Sequence, residues 1–238
     1  QILSPGEIAV AGSTGNYGKN GTPNSQTAGV AFIVTVNSVD PYWNVSTSTQ
    51  TLTLISSDPN AVSQGAQALV NGTTYFTVTM VTAGNRTLRI DDLDPITPTL
   101  ATYITPNYIT VVPNTATRLQ VLVPNQANNP GTFSGKSGSV INQTAGVGFV
   151  VTVNACDDYW NINTAAVPIA GITSTDAFDD GYNLAEQTLI AGTTAFTYKL
   201  ITRSQILGWT ITASAAGYAA DTSAPVWVDA NQAVKKLQ

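Results

Sequence analysis

Two short acidic turns hold the side chains with the clearest capacity for chemistry. Asp40 and Asn44 stand in the first turn, and Asp157, Asp158 and Asn161 stand in the second. Carboxylate and amide oxygens are hard ligands of the kind that calcium prefers, so these residues are candidate calcium ligands. Aspartate and asparagine also cap tight turns with their own side chains, and the sequence leaves both interpretations open. No other cofactor is indicated.

Two further groups of aspartates are weaker candidates, because they lack the spacing and the glycine of an EF-hand loop. They are Asp91, Asp92 and Asp94 in the first half and Asp176, Asp179 and Asp180 in the second.

The composition removes most catalytic chemistry. The chain has no histidine and one cysteine, Cys156, which excludes Ser-His-Asp triads, Cys-His dyads and histidine-containing zinc sites. Paired carboxylates can hydrolyse glycosidic bonds, but these acids stand in turns without a pattern that forms a pocket. We therefore expect a protein that is not an enzyme, with Cys156 as a small buried hydrophobic residue.

Adjacent aromatic residues occupy both acidic turns, Tyr42-Trp43 in the first and Tyr159-Trp160 in the second. On an exposed loop such pairs would stack on sugar rings. Neighbouring residues of an extended chain point to opposite faces, so the alternative is that one ring of each pair enters the core while the other packs on the surface or an adjacent domain.

Five triplets match the acceptor pattern for N-linked glycans, although a chain rich in Asn, Ser and Thr also forms them by chance. The acceptor positions are Asn20, Asn44, Asn71, Asn85 and Asn142.

The turns belong to a longer repeat that organises the chain. Residues 27–45 read TAGVAFIVTVNSVDPYWNV and residues 144–162 read TAGVGFVVTVNACDDYWNI. A repeat of this length indicates two similar domains, which we place at residues 1–119 and 120–238. The stretch Thr117 to Val123 is expected to be a continuous strand that stiffens the junction.

The elements around the turns are predicted to be β-strands. Apolar residues alternate from Val30 to Val36 and from Val147 to Val153, and turn signals such as Asn71-Gly72 follow at short intervals. No segment has a helical period. The prediction is an all-β protein made of two tandem Greek-key β-sandwiches of the immunoglobulin-like class.

The charge limits the possible partners. Nine Lys and Arg stand against fourteen Asp and Glu, for a net charge of −5, without a basic cluster in either half. Nucleic acid and anionic membrane surfaces are therefore not expected as partners. No apolar run approaches the roughly 18 residues of a membrane-spanning helix.

The repeated motif TAG-x-x-F-x-VTV-N, with LVNGTTYFTVTMVTAGNRTLRI at 69–90 and LIAGTTAFTYKLIT at 189–202, resembles the bacterial immunoglobulin-like repeats of invasin- and intimin-type adhesins. Trp43 and Trp160 replace the glycine common at that turn. The resemblance implies a non-catalytic stalk, adhesive or assembly role at the cell surface or outside the cell. Expected partners are neighbouring copies and a cell-surface or glycan receptor. The alternative is a carbohydrate-binding or accessory module of a secreted enzyme.

The ends of the chain resemble its internal junction. Lys235-Lys236-Leu237-Gln238 matches Thr117-Arg118-Leu119-Gln120, and Gln1-Ile2-Leu3 matches Gln120-Val121-Leu122. We expect further copies to follow, either in one polypeptide or by head-to-tail contact between subunits. The predicted assembly residues are Gln1, Ile2, Leu3, Val226, Val228 and Leu237.

Overall fold

Alternating apolar residues form the central strands, as the sequence predicts. In Ala31–Asn37 the side chains of Phe32, Val34 and Val36 are buried, whereas Ile33 between them is exposed. Val30, which the alternation also placed in this buried set, is exposed and precedes the strand. Side chains of a strand alternate between its two faces, so one face of this strand enters a core.

The structure is a computed structural model that describes residues 1–94, 100–179 and 185–233. Its contacts divide the chain into two units, Gln1–Val112 and Pro113–Gln238. Asp180 and Leu237, which the sequence singled out, lie outside the described residues. No helix in the described ranges is long and apolar enough to cross a membrane.

The first unit contains thirteen described strands and one 3-10 turn at Asn16–Gly18. The strands are β1 (Ile2–Leu3), β2 (Glu7–Ala9), β3 (Lys19–Gly21), β4 (Gln26–Thr27), β5 (Ala31–Asn37), β6 (Thr51–Ser56), β7 (Val62–Ser63), β8 (Gln67–Ala68), β9 (Thr73–Thr79), β10 (Gly84–Arg86), β11 (Leu88–Asp92), β12 (Tyr103–Ile104) and β13 (Ile109–Val112).

The strand order of this unit is that of an immunoglobulin-like sandwich. One sheet has the order β1-β5-β9-β7 and the other has the order β12-β11-β6-β8, which correspond to the ABED and C′CFG sheets of that fold. A third set, β10-β13-β4, contains a parallel pair between β4 and β13. Buried residues from both main sheets, including Phe76 and Leu54, form one core.

The second unit repeats the plan with eleven described strands. They are β14 (Arg118–Leu122), β15 (Ala127–Asn128), β16 (Lys136–Ser137), β17 (Gln143–Thr144), β18 (Phe149–Cys156), β19 (Ile169–Ser174), β20 (Gln187–Thr188), β21 (Thr193–Tyr198), β22 (Ile211–Ser214), β23 (Asp221–Thr222) and β24 (Val228–Asp229). The main sheets are β14-β18-β21 and β20-β19-β22-β23, and β17 pairs in parallel with β24. The two main sheets enclose a second core, which includes Phe196 and Ile211.

The division between the units falls before the strand that was expected to join them. The segment Thr117 to Val123 contains β14, and β14 pairs along its whole length with β18 of the second unit. Leu119 and Val121 are buried in the core of that unit. The chain therefore divides between Val112 and Pro113 rather than between Leu119 and Gln120, and β14 is the first strand of the second sandwich.

Candidate functional site

The acidic turn of the first unit is closed by its own aspartate. Asp40 Oδ1 accepts hydrogen bonds from the backbone N–H groups of Tyr42 and Asn44, both at 2.9 Å, and Oδ2 accepts one from Asn44 Nδ2 at 2.9 Å. The side-chain and backbone hydrogen bonds from Asn44 hold the pKa of Asp40 below its usual value, because they favour the ionised carboxyl group.

The second turn has the same geometry but is more buried. Asp157 Oδ1 accepts from the N–H groups of Tyr159 and Asn161 at 2.9 Å, and Oδ2 accepts from Asn161 Nδ2 at 2.9 Å. Oδ2 also accepts from the backbone N–H of Asn114 at 2.9 Å. Asp157 is fully buried, and these donors replace water as hydrogen-bond partners of its carboxylate.

The hydrogen bonds of Asp158 are separate from the cap that Asp157 forms. Asp158 accepts hydrogen bonds from Thr117 Oγ1 and Arg118 Nη2, both at 2.8 Å. The hydrogen bond from Thr117, followed by that from Arg118, lowers the pKa of Asp158. Its carboxylate therefore attaches the start of β14 to the turn.

The predicted calcium ligands thus occupy two capped turns. The carboxylate oxygens of Asp40 accept from N–H donors of its own turn, and those of Asp157 accept from its own turn and from Asn114. A calcium ion, by contrast, takes six to eight oxygen ligands. Among the described residues there is no group of three or more acidic, cysteine or histidine side chains that would hold a metal ion. The geometry is the one that side-chain capping produces.

Each tryptophan of the turns packs on a glycine of the neighbouring hairpin. Gly18 and Gly135 have φ of +66° and +68°, and a Cβ on either would lie 2.2 Å from Cγ of Trp43 or Trp160, respectively. Both tryptophans are half-buried and have φ of +66°, a strained backbone conformation for a bulky residue. The rings lie on the β2–β3 and β15–β16 hairpins rather than in the core.

The remaining ring surface of each tryptophan also has neighbours. The guanidinium of Arg118 lies 4.9 Å from the ring centre of Trp160, within the range of a cation–π interaction. In the first unit, Tyr103 meets Trp43 edge to face with ring centres 6.3 Å apart. Of the two adjacent tyrosines, Tyr42 is exposed and Tyr159 is half-buried.

A buried glutamine connects each central strand to the hairpin. Gln120 donates from Nε2 to the carbonyl of Gly135 at 2.7 Å and accepts from Asn154 Nδ2 at 2.9 Å. Gln1 repeats both contacts, donating to Gly18 at 2.8 Å and accepting from Asn37 Nδ2 at 3.3 Å. Gln1 is therefore the structural equivalent of Gln120.

The α-amino group of Gln1 is held in this same buried place. In the 238-residue chain it donates to the carbonyl of Asn37 at 2.8 Å. Burial, and then the nearby positive charge of Lys19, lower its pKa to about 5. The amine thus occupies the position of a strand amide.

A pair of buried aspartates was not identified as equivalent from the sequence. Asp58 Oδ2 accepts from the N–H groups of Val81 and Thr82 at 2.8 and 2.9 Å. Asp176 Oδ2 accepts from Ile201 and Thr202 at 2.8 and 2.9 Å in the same way. The sequence feature that these two aspartates share is that each directly follows a Ser or Thr just beyond the end of a strand.

The hydrogen bonds to these aspartates outweigh the effect of burial. Burial alone would raise the pKa of Asp58, but bonds from Thr82 and Val81 lower it below its usual value. The same balance, with Thr202 as the main donor, lowers the pKa of Asp176. Both carboxylates are ionised anchors for the segment after the second central strand.

Each hairpin contains a lysine that pairs with an acidic residue, but the strand that supplies this residue differs between the two units. Lys19 pairs with Glu7 at 3.2 Å, and both side chains are almost completely buried. Lys136 pairs instead with Asp221 at 2.6 Å. Gln126 takes the place of Glu7 in the second unit, and the register of β23 puts Asp221 where β12 has Tyr103.

The five glycan acceptor asparagines, Asn20, Asn44, Asn71, Asn85 and Asn142, are all exposed. Asn44 is also part of the turn through its amide group. Cys156 is fully buried, and burial raises the pKa of its thiol to about 12, so it is the small buried residue that the sequence predicts.

Those predicted assembly residues that the structure describes lie inside their own units. Ile2 and Val226 are fully buried and Val228 is nearly so, while Leu3 is half-buried in β1. Ile2 pairs with Val36, and Val228 pairs with Gln143. The side chains of Ile2, Val226 and Val228 belong to the two cores, whereas that of Leu3 does not.

Comparisons with known proteins give structural matches of low identity and low TM-score. No family model matches the sequence, and no curated protein matches it. The D0–D1 domain of intimin is 12% identical over 87% of this chain and 91% of its own, with a TM-score of 0.30. Domains 5–6 of the S-layer protein SbsC are 19% identical over 88% and 94%, with a TM-score of 0.29.

A β-glycosidase from Bacteroides vulgatus is 10% identical over 84% of this chain, with a TM-score of 0.34. The chain spans 23% of that enzyme's length. The assignment of this chain to the immunoglobulin-like β-sandwiches rests on its own strand order and register.

Proposed function

We propose that this chain is a non-catalytic structural protein outside the cell, in which tandem immunoglobulin-like units form a surface stalk or a head-to-tail filament. The observation that carries the proposal is the parallel pairing of an early strand with the last described strand in each unit. β4 pairs with β13 through Val111–Gln26 and Val112–Thr27, and β17 pairs with β24 through Val228–Gln143 and Asp229–Thr144.

Parallel pairs of this kind resist tension between the ends of a unit. Force that reaches β4 from its amino end and β13 from its carboxyl end pulls the two strands past each other. The bonds Ala28 N–H to Val112 O and Ala145 N–H to Asp229 O, both 2.9 Å, run across that direction and must break together. A load-bearing role therefore agrees with the hydrogen-bond pattern.

The buried or turn-closing aspartates of both units support the same role. Asp40, Asp157, Asp58 and Asp176 all accept hydrogen bonds from the backbone of their own unit. A binding or catalytic site needs polar groups directed at a ligand, whereas these groups close turns and anchor segments.

The proposal is tested by pulling the full chain from both ends in a single-molecule force experiment. We expect two separate high-force unfolding events. Ala28→Pro removes one donor of the first parallel pair and should lower only one event, and Ala145→Pro should lower only the other. Unfolding of the unmodified chain without resolvable force peaks would contradict a load-bearing function.

The alternative, a carbohydrate-binding or accessory module of a secreted enzyme, requires open aromatic faces. Trp160 has Gly135 against its ring and Arg118 over it, and Trp43 packs on Gly18. We therefore expect the wild-type chain to bind no sugar on a glycan array. Binding that Trp43→Ala or Trp160→Ala abolishes would favour the alternative.

A further inference from the structure

The second unit has an exposed apolar loop between β21 and β22. Ile206 and Leu207 stand side by side in this loop and are 83% and 76% exposed. We call residues 205–208 the tip loop, and Trp209, which follows it, is half-buried. Two adjacent aliphatic side chains that face solvent form an apolar patch, and such a patch marks a contact surface when further apolar residues adjoin it.

The tip loop is an insertion relative to the first unit. Thr82 and Thr202 are equivalent positions, because each donates its backbone N–H to the buried aspartate of its unit. Thr87 and Thr210 are equivalent too, because each donates its N–H to the hydroxyl of the residue before that aspartate. Four residues separate the two threonines in the first unit and seven separate them in the second, so the second unit has three additional residues here.

The residues at both ends of the tip loop are fixed to the sandwich. Ser204 N–H donates to the carbonyl of Val228 at 3.0 Å, and Val228 N–H donates back to Ser204 Oγ at 3.1 Å. Trp209 and Val226 exchange both of their backbone hydrogen bonds, at 2.9 and 2.7 Å. The indole N–H of Trp209 also donates to the carbonyl of Thr202 at 2.6 Å. The base of the loop is therefore closed, and residues 205–208 project from it.

A third exposed apolar side chain lies at the same end of the second unit. Phe178 is 72% exposed and stands two residues after Asp176, the aspartate that accepts from the N–H of Thr202 at the start of the loop. The first unit has Asn60 at the position of Phe178, since the N–H of each donates to Oδ1 of its buried aspartate. The second unit thus has three large apolar side chains where the first has an asparagine and a shorter connection.

The charge beside the tip loop is positive. Residues 199–220 contain Lys199 and Arg203 and no acidic residue. Arg203 is exposed and has no ion pair among the described residues. Together with Leu207 and Trp209 it lines an open cup of about 500 Å³. The surface therefore combines aliphatic side chains, one aromatic ring and a cation that is available to an anionic group.

We propose that the tip loop is a membrane contact, through which the second unit binds the surface of a phospholipid bilayer. Ile206, Leu207 and Phe178 enter the boundary of the acyl chains. Trp209 and Arg203 lie at the level of the headgroups, where aromatic rings and cations are favoured and a guanidinium binds phosphate. A bilayer receives a projecting tip without a matching pocket, whereas a folded partner would have to supply one.

This contact differs from the electrostatic attraction that the composition argues against. Attraction of an anionic membrane needs a cluster of basic residues, whereas the tip loop binds chiefly by its apolar side chains and uses one cation. The inference goes beyond the load-bearing role, because it names lipid as a partner of a protein that we place outside the cell.

The test is flotation of the full chain with lipid vesicles in a density gradient. One set of vesicles is phosphatidylcholine, and the other is an equal mixture of phosphatidylcholine and phosphatidylglycerol. The tip variant is Ile206→Ser with Leu207→Ser. The matched control is Val167→Ser with Ile190→Ser, which removes two aliphatic side chains of the same unit that are 61% and 77% exposed but lie outside the tip loop.

The unmodified chain should float with both sets of vesicles. The tip variant should lower the partition coefficient by roughly tenfold or more, because two aliphatic side chains no longer enter the bilayer, and the control should leave it unchanged. Arg203→Gln should lower it by roughly fivefold on the anionic vesicles and by less on phosphatidylcholine alone. All the replaced residues are exposed, so circular dichroism should show the same fold in every variant.

Absence of flotation by the unmodified chain, or an equal loss in the tip variant and the control, would overturn the membrane contact. Lipid would also be overturned as the partner if the unmodified chain did not float but formed dimers that the tip variant abolished in analytical ultracentrifugation, because a second copy would then be the occupant. In each case the two high-force events of the force experiment would persist, so the membrane contact and the proposed function fail by different measurements.

Discussion

The indole of Trp43 lies directly against the α-carbon of Gly18, and Trp160 lies against Gly135 in the same way. A Cβ on either glycine would fall 2.2 Å from the Cγ of its tryptophan, closer than real Cβ contacts come. Both glycines also have positive φ. The contact connects the capped turn to the hairpin in both units, so it belongs to the scaffold that the repeat preserves.

Gly18→Ala should destabilise the first unit more than Gly12→Ala. Both positions have positive φ, which costs roughly 1–2 kcal/mol for alanine, but a Cβ at Gly12 has no neighbour within 4 Å. At Gly18 the displacement of Trp43 adds roughly 1–3 kcal/mol. Chemical denaturation followed by tryptophan fluorescence measures the free energy of unfolding of both variants. Equal losses of stability would show that the ring of Trp43 moves away from the new Cβ without cost.

Asp58→Asn should lower the free energy of unfolding of the first unit by roughly 1–3 kcal/mol. The carboxylate accepts from Val81, Thr82 and Asn60, and an amide has only one oxygen to serve them. Asp176→Asn should have the matching effect on the second unit. The exposed Glu186→Gln serves as the control, and a loss of similar size there would remove the anchoring role.

Acid should weaken both units through the same two aspartates. The pKa of each is lower in the folded chain than the value of about 3.9 in an unfolded one. Their stabilisation is therefore complete above pH 4 or so and is lost as the pH falls through the folded pKa. Melting temperatures measured from roughly pH 2 to pH 5 should fall less steeply for the double variant Asp58→Asn with Asp176→Asn than for the wild type.

A carboxylate on β12 should be able to replace Glu7 of β2 as the counter-ion of Lys19. Glu7→Gln leaves a buried lysine without a carboxylate and should cost roughly 3–5 kcal/mol, although burial already lowers the pKa of Lys19. Adding Tyr103→Asp copies the second unit, where Asp221 holds Lys136, and should restore part of the loss. The four chains form a double-mutant cycle, and losses that simply add would contradict the exchange of partners.

The strands and the turns were predictable because their signals are local. The alternation of Phe32, Val34 and Val36 identifies a buried face, and the repeated Asp-x-Tyr-Trp-Asn pattern identifies a turn. Turn capping by Asp40 was one of two interpretations, and the geometry agrees with it. The paired roles of Asp58 and Asp176 were not predictable, because their donors lie 23 to 26 residues further along the chain.

The sequence by itself determined the all-β class, the twofold repeat and the inward face of the central strands, because a side-chain period of two is a property of neighbouring residues. Only the tertiary structure decided that β4 lies parallel to β13, that β14 belongs to the second unit, and that Asp58 accepts hydrogen bonds from Val81 and Thr82. Contacts such as Val121 N–H to Asp221 Oδ2 join residues a hundred positions apart. Sheet order brings such residues together, and no local pattern specifies it.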